Sequence, residues 1–409
     1  MTRLSDLLTP WRLKWYPRVC ILAVLVALFI AVLSGKDAET LTGRLGGDFP
    51  AFYGAGRTVA HGQFDKLYSY DHQQTTQKQL FPSNVDSKKC MPFPYPAFVA
   101  YAYHPLALLP YRLSFLVHTL LMMLAAAISA WLLCRKLPHF HDYYTLLLGI
   151  ILLYYPVLSS VLGGQNTTIT LLLFVVVWYF GQSGKEWLAG FFLGLMLFKP
   201  QFGIPLICLH FLAGRWRTVL SSIATGAILY LVTAQFFGFF WIRDWLAYAS
   251  WVSTIAAAID GANSICWLGF FQSILGVQSK LALGIGLFMT SATIMGIAVV
   301  WFRARHKSDL SAEFALASVG LILIQPHAMY YDMGLVLFAY LMISCYRRKN
   351  VKDLILLWIL AIIQVSARPL GFSPLFFLLL WSGFLGIRSF FNGPVEEDAQ
   401  HTGDSVTDY

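Results

Sequence analysis

Charge is what this chain has least of. Asp, Glu, Lys and Arg make up 12% of its 409 residues against 58% hydrophobic ones, a balance that cannot clothe a soluble globule in solvated side chains. Cysteine is scarce as well: six are spread along the sequence, with Cys20, Cys134, Cys208 and Cys345 in or at the ends of apolar runs. None of them has metal-ligand spacing, so a cysteine-built zinc site is not indicated. Cys90 and Cys266 are the two expected to face outward, where an oxidising compartment would leave a disulfide open to them; two unpaired thiols is the expectation. No internal repeat is evident. No small-x-small cleavage site follows the first apolar run, where Ser34-Gly35-Lys36-Asp37 stands instead, so that run reads as a span and not as a signal peptide.

What is present is hydrocarbon in long runs. Charge-free stretches cover 19–35, 113–134, 143–162, 218–242 and 281–302, each near the length a helix needs to cross the apolar layer. Shorter candidates cover 166–180, 188–198, 202–214, 314–324, 333–346, 354–366 and 372–387. Together they predict an all-α polytopic membrane protein with about twelve transmembrane helices. A single membrane domain over 1–391 is expected, with a polar tail over 392–409 that reads as disordered and cytoplasmic.

Basic residues set the expected orientation, because short positively charged loops stay on the cytoplasmic side. Arg3, Arg12, Lys14 and Arg18 precede the first span, and Arg135-Lys136, Lys185, Arg215 with Arg217, the segment from Arg303 to Lys307, Arg347-Arg348-Lys349 and Arg388 recur at every second boundary. Both termini are therefore expected inside. The net charge of +9 follows this pattern and points to anionic lipid headgroups, not to nucleic acid.

The first outer loop, 36–112, is far longer than an ordinary connection and is the first place to look for function. Gly46-Gly47-Asp48-Phe49-Pro50 opens a short helix there. Asp48 in that position suits a helix cap and a general base facing outward, and the two roles can coexist. Tyr53 and Arg57 follow on the same short helix, and the run Pro92-Phe93-Pro94-Tyr95-Pro96 adds aromatic and proline punctuation. Such a surface suits contact with a sugar or a lipid chain, or simple core contacts. His104-Pro105-Leu106 begins a piece too short to cross, re-entrant or lying at the interface, and His104 reads as structural.

Polar residues at other span ends fall on the side of Asp48. They are Gly163-Gly164-Gln165-Asn166, Lys199-Pro200-Gln201, and the segment from Gln325 to Asp332 with His327. Lys199 follows ten apolar residues and precedes a proline; a cation at a helix break either lines a wet cavity, where it wants an anion such as a lipid phosphate, or snorkels to the interface. Gln165 and Asn166 suit sugar hydroxyls or the cap of the next helix. His327 and Asp332, alone, would be an ordinary structural pair. Taken together these residues supply an acid-base group, a phosphate clamp and polar anchors at one membrane face. Gly190 and Gly194 form a small-xxx-small step assigned to helix packing.

On Gly47-Asp48-Phe49-Pro50-Ala51-Phe52-Tyr53 with Gly62 and Leu67-Tyr68, Phe93-Pro94-Tyr95-Pro96 with Pro105-Leu106, Gly164-Gln165-Asn166, Lys199-Pro200, and Pro326-His327 with Tyr331-Asp332, the chain resembles the polyprenyl-phosphate-sugar-dependent glycosyltransferases of family 87, in the multi-spanning GT-C superfamily. The likeness covers roughly residues 15–370. It implies a membrane-embedded enzyme that takes a hexose, mannose by family expectation, from a polyprenyl-phosphate donor to a lipid-linked or glycan acceptor on the outer face, with inversion. The membrane implied is the bacterial inner membrane, with the site facing the periplasm or exterior.

Asp48 maps onto the family's acidic base. Lys199, with His327 and Arg57, would neutralise the donor phosphate, and Gln165, Asn166, Tyr53, Tyr95, Gln201 and Asp332 would bind substrate. No DxD-like motif stands at the outer sites, and neither metal nor cofactor is expected. A transporter or lipid flippase is the alternative, which midplane polar groups and internal repeats would favour; an assembly partner for cell-envelope enzymes is a third reading.

Overall fold

The computed structural model describes residues 9–34, 46–80, 90–137, 140–346 and 351–392, and these are helical apart from turns and one isolated bridge between Ser264 and Met329. The polar tail and the basic run 347–349 lie outside the described residues. A first apolar helix, α1 (Pro10–Ser34), is followed by three short ones, α2 (Phe49–Ala60), α3 (Tyr70–Leu80) and α4 (Ala97–Ala107), in the long loop. Then come α5 (Tyr111–Lys136), α6 (Tyr144–Leu153), α7 (Tyr155–Leu162), α8 (Thr167–Gln182), α9 (Glu186–Leu195) and α10 (Pro200–Leu212). The chain continues through α11 (Trp216–Phe237), α12 (Trp241–Asp260), α13 (Trp267–Leu275), α14 (Lys280–Arg303), α15 (Ser311–Leu323) and α16 (Gly334–Tyr346). It closes with α17 (Val351–Ile363), α18 (Ala367–Leu370) and α19 (Leu375–Asn392).

Four helices, α1, α5, α11 and α14, are long and apolar enough to cross a bilayer. Val19, Leu22 and Leu33 on α1 and Leu281, Phe288 and Met295 on α14 are exposed, the surface a lipid-facing helix presents. The fifth long run, 143–162, is broken: α6 and α7 meet at a 71° bend. Pro156, in the first turn of α7, has no N–H with which to continue the ladder from α6. The remaining apolar helices have 10–17 residues, which at ~1.5 Å per residue fall short of a ~30 Å hydrocarbon layer. Length and composition thus support four spans, or five with the bent pair, where the sequence led us to expect about twelve.

Close helix contacts explain several small residues. A Cβ on Gly190 or Gly194 would meet Thr218 or Thr225, so the small-xxx-small step seats α9 against α11. The polar clusters separate by end. At one end of α8 and α15, Arg215 pairs with Glu186 at 3.2 Å, Lys307 with the buried Glu313 at 3.0 Å, and Gln182 donates to Asp309 at 2.7 Å. The opposite ends of those helices carry Asn166 and Gln325. Cys90 and Cys266 are both buried and no disulfide joins them.

Candidate active site

Two diglycine turns build the site. Gly46 and Gly47 have φ of +88° and +46°, and Gly164 has φ of +73°, backbone that side chains rarely adopt. The turns also touch: a Cβ on Gly164 would collide with the Gly46 carbonyl, and one on Gly47 would come within 2.9 Å of the Gly163 carbonyl. Through this interlock the Asp48 amide donates to the Gly163 carbonyl at 2.8 Å.

Asp48 occupies the N-cap position of α2, yet its side chain makes no capping bond. Its carboxylate instead accepts from Gln165 Nε2 at 2.5 Å. Burial pushes the Asp48 carboxyl above its ordinary range; the Gln165 bond pulls it partly back, and the charge of Asp260 pushes it up again. A carboxylate so placed is a stronger base than one in water.

The polar network continues from Gln165. The Tyr95 hydroxyl lies 3.4 Å from Gln165 Oε1 and 3.3 Å from Asn166 Oδ1. Pro94 and Pro96 have no backbone N–H, so side chains hold this stretch: Tyr68 donates to the Tyr95 carbonyl, Trp245 to the Pro94 carbonyl, and the Phe93 amide donates to Gln73. Asn166 precedes α8 but, like Asp48, makes no side-chain cap.

Lys199 stands where the sequence breaks the helix, with φ of −123° between a short 3-10 turn and α10. It is buried, and its Nζ lies 3.2 Å from Asp332 Oδ1, also buried. The second Asp332 oxygen accepts from the Met329 amide at 3.3 Å. Asp332, five residues from His327 in the sequence, is the counterion of Lys199. The charge of Asp332 still reaches His327, where burial lowers the imidazole below its ordinary range while Asp332 and Asp260 pull it back.

The other expected residues stand apart. Tyr53 donates its hydroxyl to the Leu109 carbonyl at 2.8 Å and meets Tyr111 edge-on. Arg57 is on the last turn of α2, two turns beyond Asp48, and Gln201 is exposed on α10. Three residues that the sequence did not single out sit here: Tyr330, within the outer segment from Gln325 to Asp332, whose hydroxyl is 2.7 Å from Ser159; Tyr155, stacked on Tyr330; and Asp260 at the end of α12, paired with Arg368 at 2.8 Å. Only adjacency to the proline-bounded turn could have flagged the first; nothing local marks the other two.

Beside the polar network a cavity of about 460 Å³ opens between α4, α8 and α11. Asn166 reaches its wall, and Phe198, the residue before Lys199, lines it, with Leu229, Val232 and Phe236 opposite. Among the described residues, no group of three or more His, Cys, Asp or Glu could hold a metal ion.

A helical membrane protein with a half-buried carboxylate, a buried ion pair and an apolar cavity at one end of its helices has the makings of a membrane-embedded enzyme. A family model, Glycosyltransferase family 87, matches residues 93–326. The matched stretch is more than half of the chain, and the protein belongs to that family, which makes it a transferase. Tyr95, Gln165, Asn166 and Lys199 fall within the matched region; Asp48, His327 and Asp332 fall outside it. No curated protein and no solved structure matches the chain.

Proposed function

We propose that this glycosyltransferase moves a hexose, mannose by family expectation, from a polyprenyl-phosphate donor to a lipid-linked or glycan acceptor, with inversion. Asp48 is the base that takes the proton of the attacking hydroxyl, and Lys199 offsets the charge of the departing phosphate, to which His327 can donate a hydrogen bond. A phosphomonoester leaves with less charge than a nucleotide diphosphate, so side-chain cations suit it. The observation that carries the reading is a continuous polar path. It runs from Asp48 through Gln165, Tyr95 and Asn166, and Asn166 shares an apolar cavity wall with Phe198, the neighbour of Lys199. A ligand with a single phosphate and a long hydrocarbon chain matches a buried cation whose chain neighbour, Phe198, lines such a cavity.

The test is transfer of radiolabelled sugar from synthetic polyprenyl-phosphate mannose to a membrane-lipid extract by purified protein, wild type against Asp48→Asn. Transfer by wild type and its loss, by about 100-fold or more, in a folded variant supports the assignment. Equal transfer by both discards Asp48 as base. No transfer from any of several polyprenyl-phosphate sugars removes the donor class.

A further inference from the structure

The bend at Tyr154 has a consequence for the acceptor. By turning α7 through 71° relative to α6, it sets Tyr155 and, one turn later, Ser159 against the short turn Tyr330–Met333. The rings of Tyr155 and Tyr330 lie near-parallel, 15° between planes with centroids 6.0 Å apart. Both remain partly open, unlike the fully buried Tyr154 beside them.

Three bonds join this pair to Asp48. Tyr330 and Ser159 share a hydroxyl contact of 2.7 Å, the Ser159 carbonyl accepts from the Gly163 amide at 2.8 Å, and the Gly163 carbonyl accepts from the Asp48 amide at 2.8 Å. Tyr331 turns away from Tyr330, its ring at 62°, and feels the charges of both Asp48 and Asp332. Tyr330 feels that of Asp48. Tyr330 and Asp332 stand on the same short turn, so the aromatic pair, the Lys199 counterion and, through the three bonds, Asp48 are joined in one site.

We propose that Tyr155 and Tyr330 form a stacking subsite for a pyranose ring of the acceptor, so that the acceptor is itself a glycan or glycolipid. This rests on the donor reading above, which places phosphate at Lys199 and leaves the half-open aromatic pair, bonded through Ser159 and Gly163 to Asp48, to the acceptor. A pyranose presents a patch of axial C–H groups ringed by hydroxyls. The electron-rich face of an aromatic ring attracts such C–H groups, and the Ser159 and tyrosine hydroxyls offer hydrogen-bond partners at the rim. A bare lipid alcohol would gain nothing from a near-parallel aromatic pair next to the base.

Saturation-transfer NMR on the full chain in nanodiscs tests this without any donor, using the methyl α- and β-pyranosides of mannose, glucose and galactose, with mannitol as the acyclic control. The expected result is saturation of ring protons in at least one pyranoside and none in mannitol. That signal should fall about fivefold or more in Tyr155→Ala and be retained in Tyr155→Phe, which keeps the ring. No signal from any pyranoside, or equal signal in wild type and Tyr155→Ala, overturns the subsite. Binding that depends on Tyr155 in a protein that transfers from no polyprenyl-phosphate sugar would sink the donor assignment alone. Transfer accompanied by Tyr155-independent binding would sink the subsite alone.

Discussion

Gln165 donates to Asp48 at 2.5 Å across 117 residues of sequence. The bond favours the charged carboxylate against the burial that disfavours it. Removing it in Gln165→Leu should raise the Asp48 carboxyl further, so the rising limb of the pH-rate profile moves to higher pH. Transfer at pH 6 should drop more than transfer at pH 9. A loss equal at every pH would instead mean that Gln165 contacts sugar and does not tune the base.

The same burial links pH to stability. The folded state holds the Asp48 proton more tightly than the unfolded chain, whose carboxyl titrates near 4. Stability is therefore lost as pH rises from about 4 through the raised folded value. Asp48→Asn keeps an acceptor for Gln165 and removes the buried charge, so it should melt above wild type at pH 8, with a smaller difference at pH 4. Thermal unfolding in detergent at both pH values reads this, and a variant that melts lower at pH 8 contradicts it.

How far the sequence revealed this site depends on what holds each residue. Glycine pairs and a proline leave local marks, and Asp48, Gln165 and Lys199 were legible because each adjoins one. The Lys199–Asp332 pairing was not legible: His327 is five residues from Asp332 and Lys199 is 133 away, and only the fold brings the distant cation to the carboxylate. Tyr155 was hidden inside an apolar run that read as one straight span, and only the bend brings it to Tyr330. Every apolar run that was singled out is helical, but a run of ten to seventeen residues cannot tell by composition whether it crosses, because its ends are set by its neighbours.

Lys199 and Asp332 neutralise each other out of water. Removing one partner leaves the other charge buried, at a cost of about 3–5 kcal/mol. Lys199→Ala and Asp332→Ala should each lower the melting temperature, whereas the double variant Lys199→Met with Asp332→Leu should regain much of it and still fail to use donor. Lys199→Arg should retain more donor use than Lys199→Ala. Full transfer by the double variant would end the role of Lys199 at phosphate.

The cavity between α4, α8 and α11 should read chain length. Thr233 lines it among apolar neighbours, and Thr233→Trp would narrow it. The expected result is a KM increase of roughly tenfold for a long polyprenyl-phosphate donor and little change for a donor with a chain of two isoprene units, with kcat held within about twofold for both. Equal effects on both donors would place the long chain elsewhere.

Orientation can be read from outside the cell. Lys66 is exposed in the long loop that carries Asp48, and Arg305 is exposed in the basic loop after α14. Positively charged short loops are held on the cytoplasmic side, so the loop with Arg305 is expected inside and the Asp48 loop outside. In a background without native cysteines, Lys66→Cys should react with an impermeant thiol reagent in intact cells, and Arg305→Cys should react only after lysis. The reverse pattern would turn the protein over, placing Asp48 on the cytoplasmic face, where a lipid-phosphate donor would have to present its sugar on the inner leaflet.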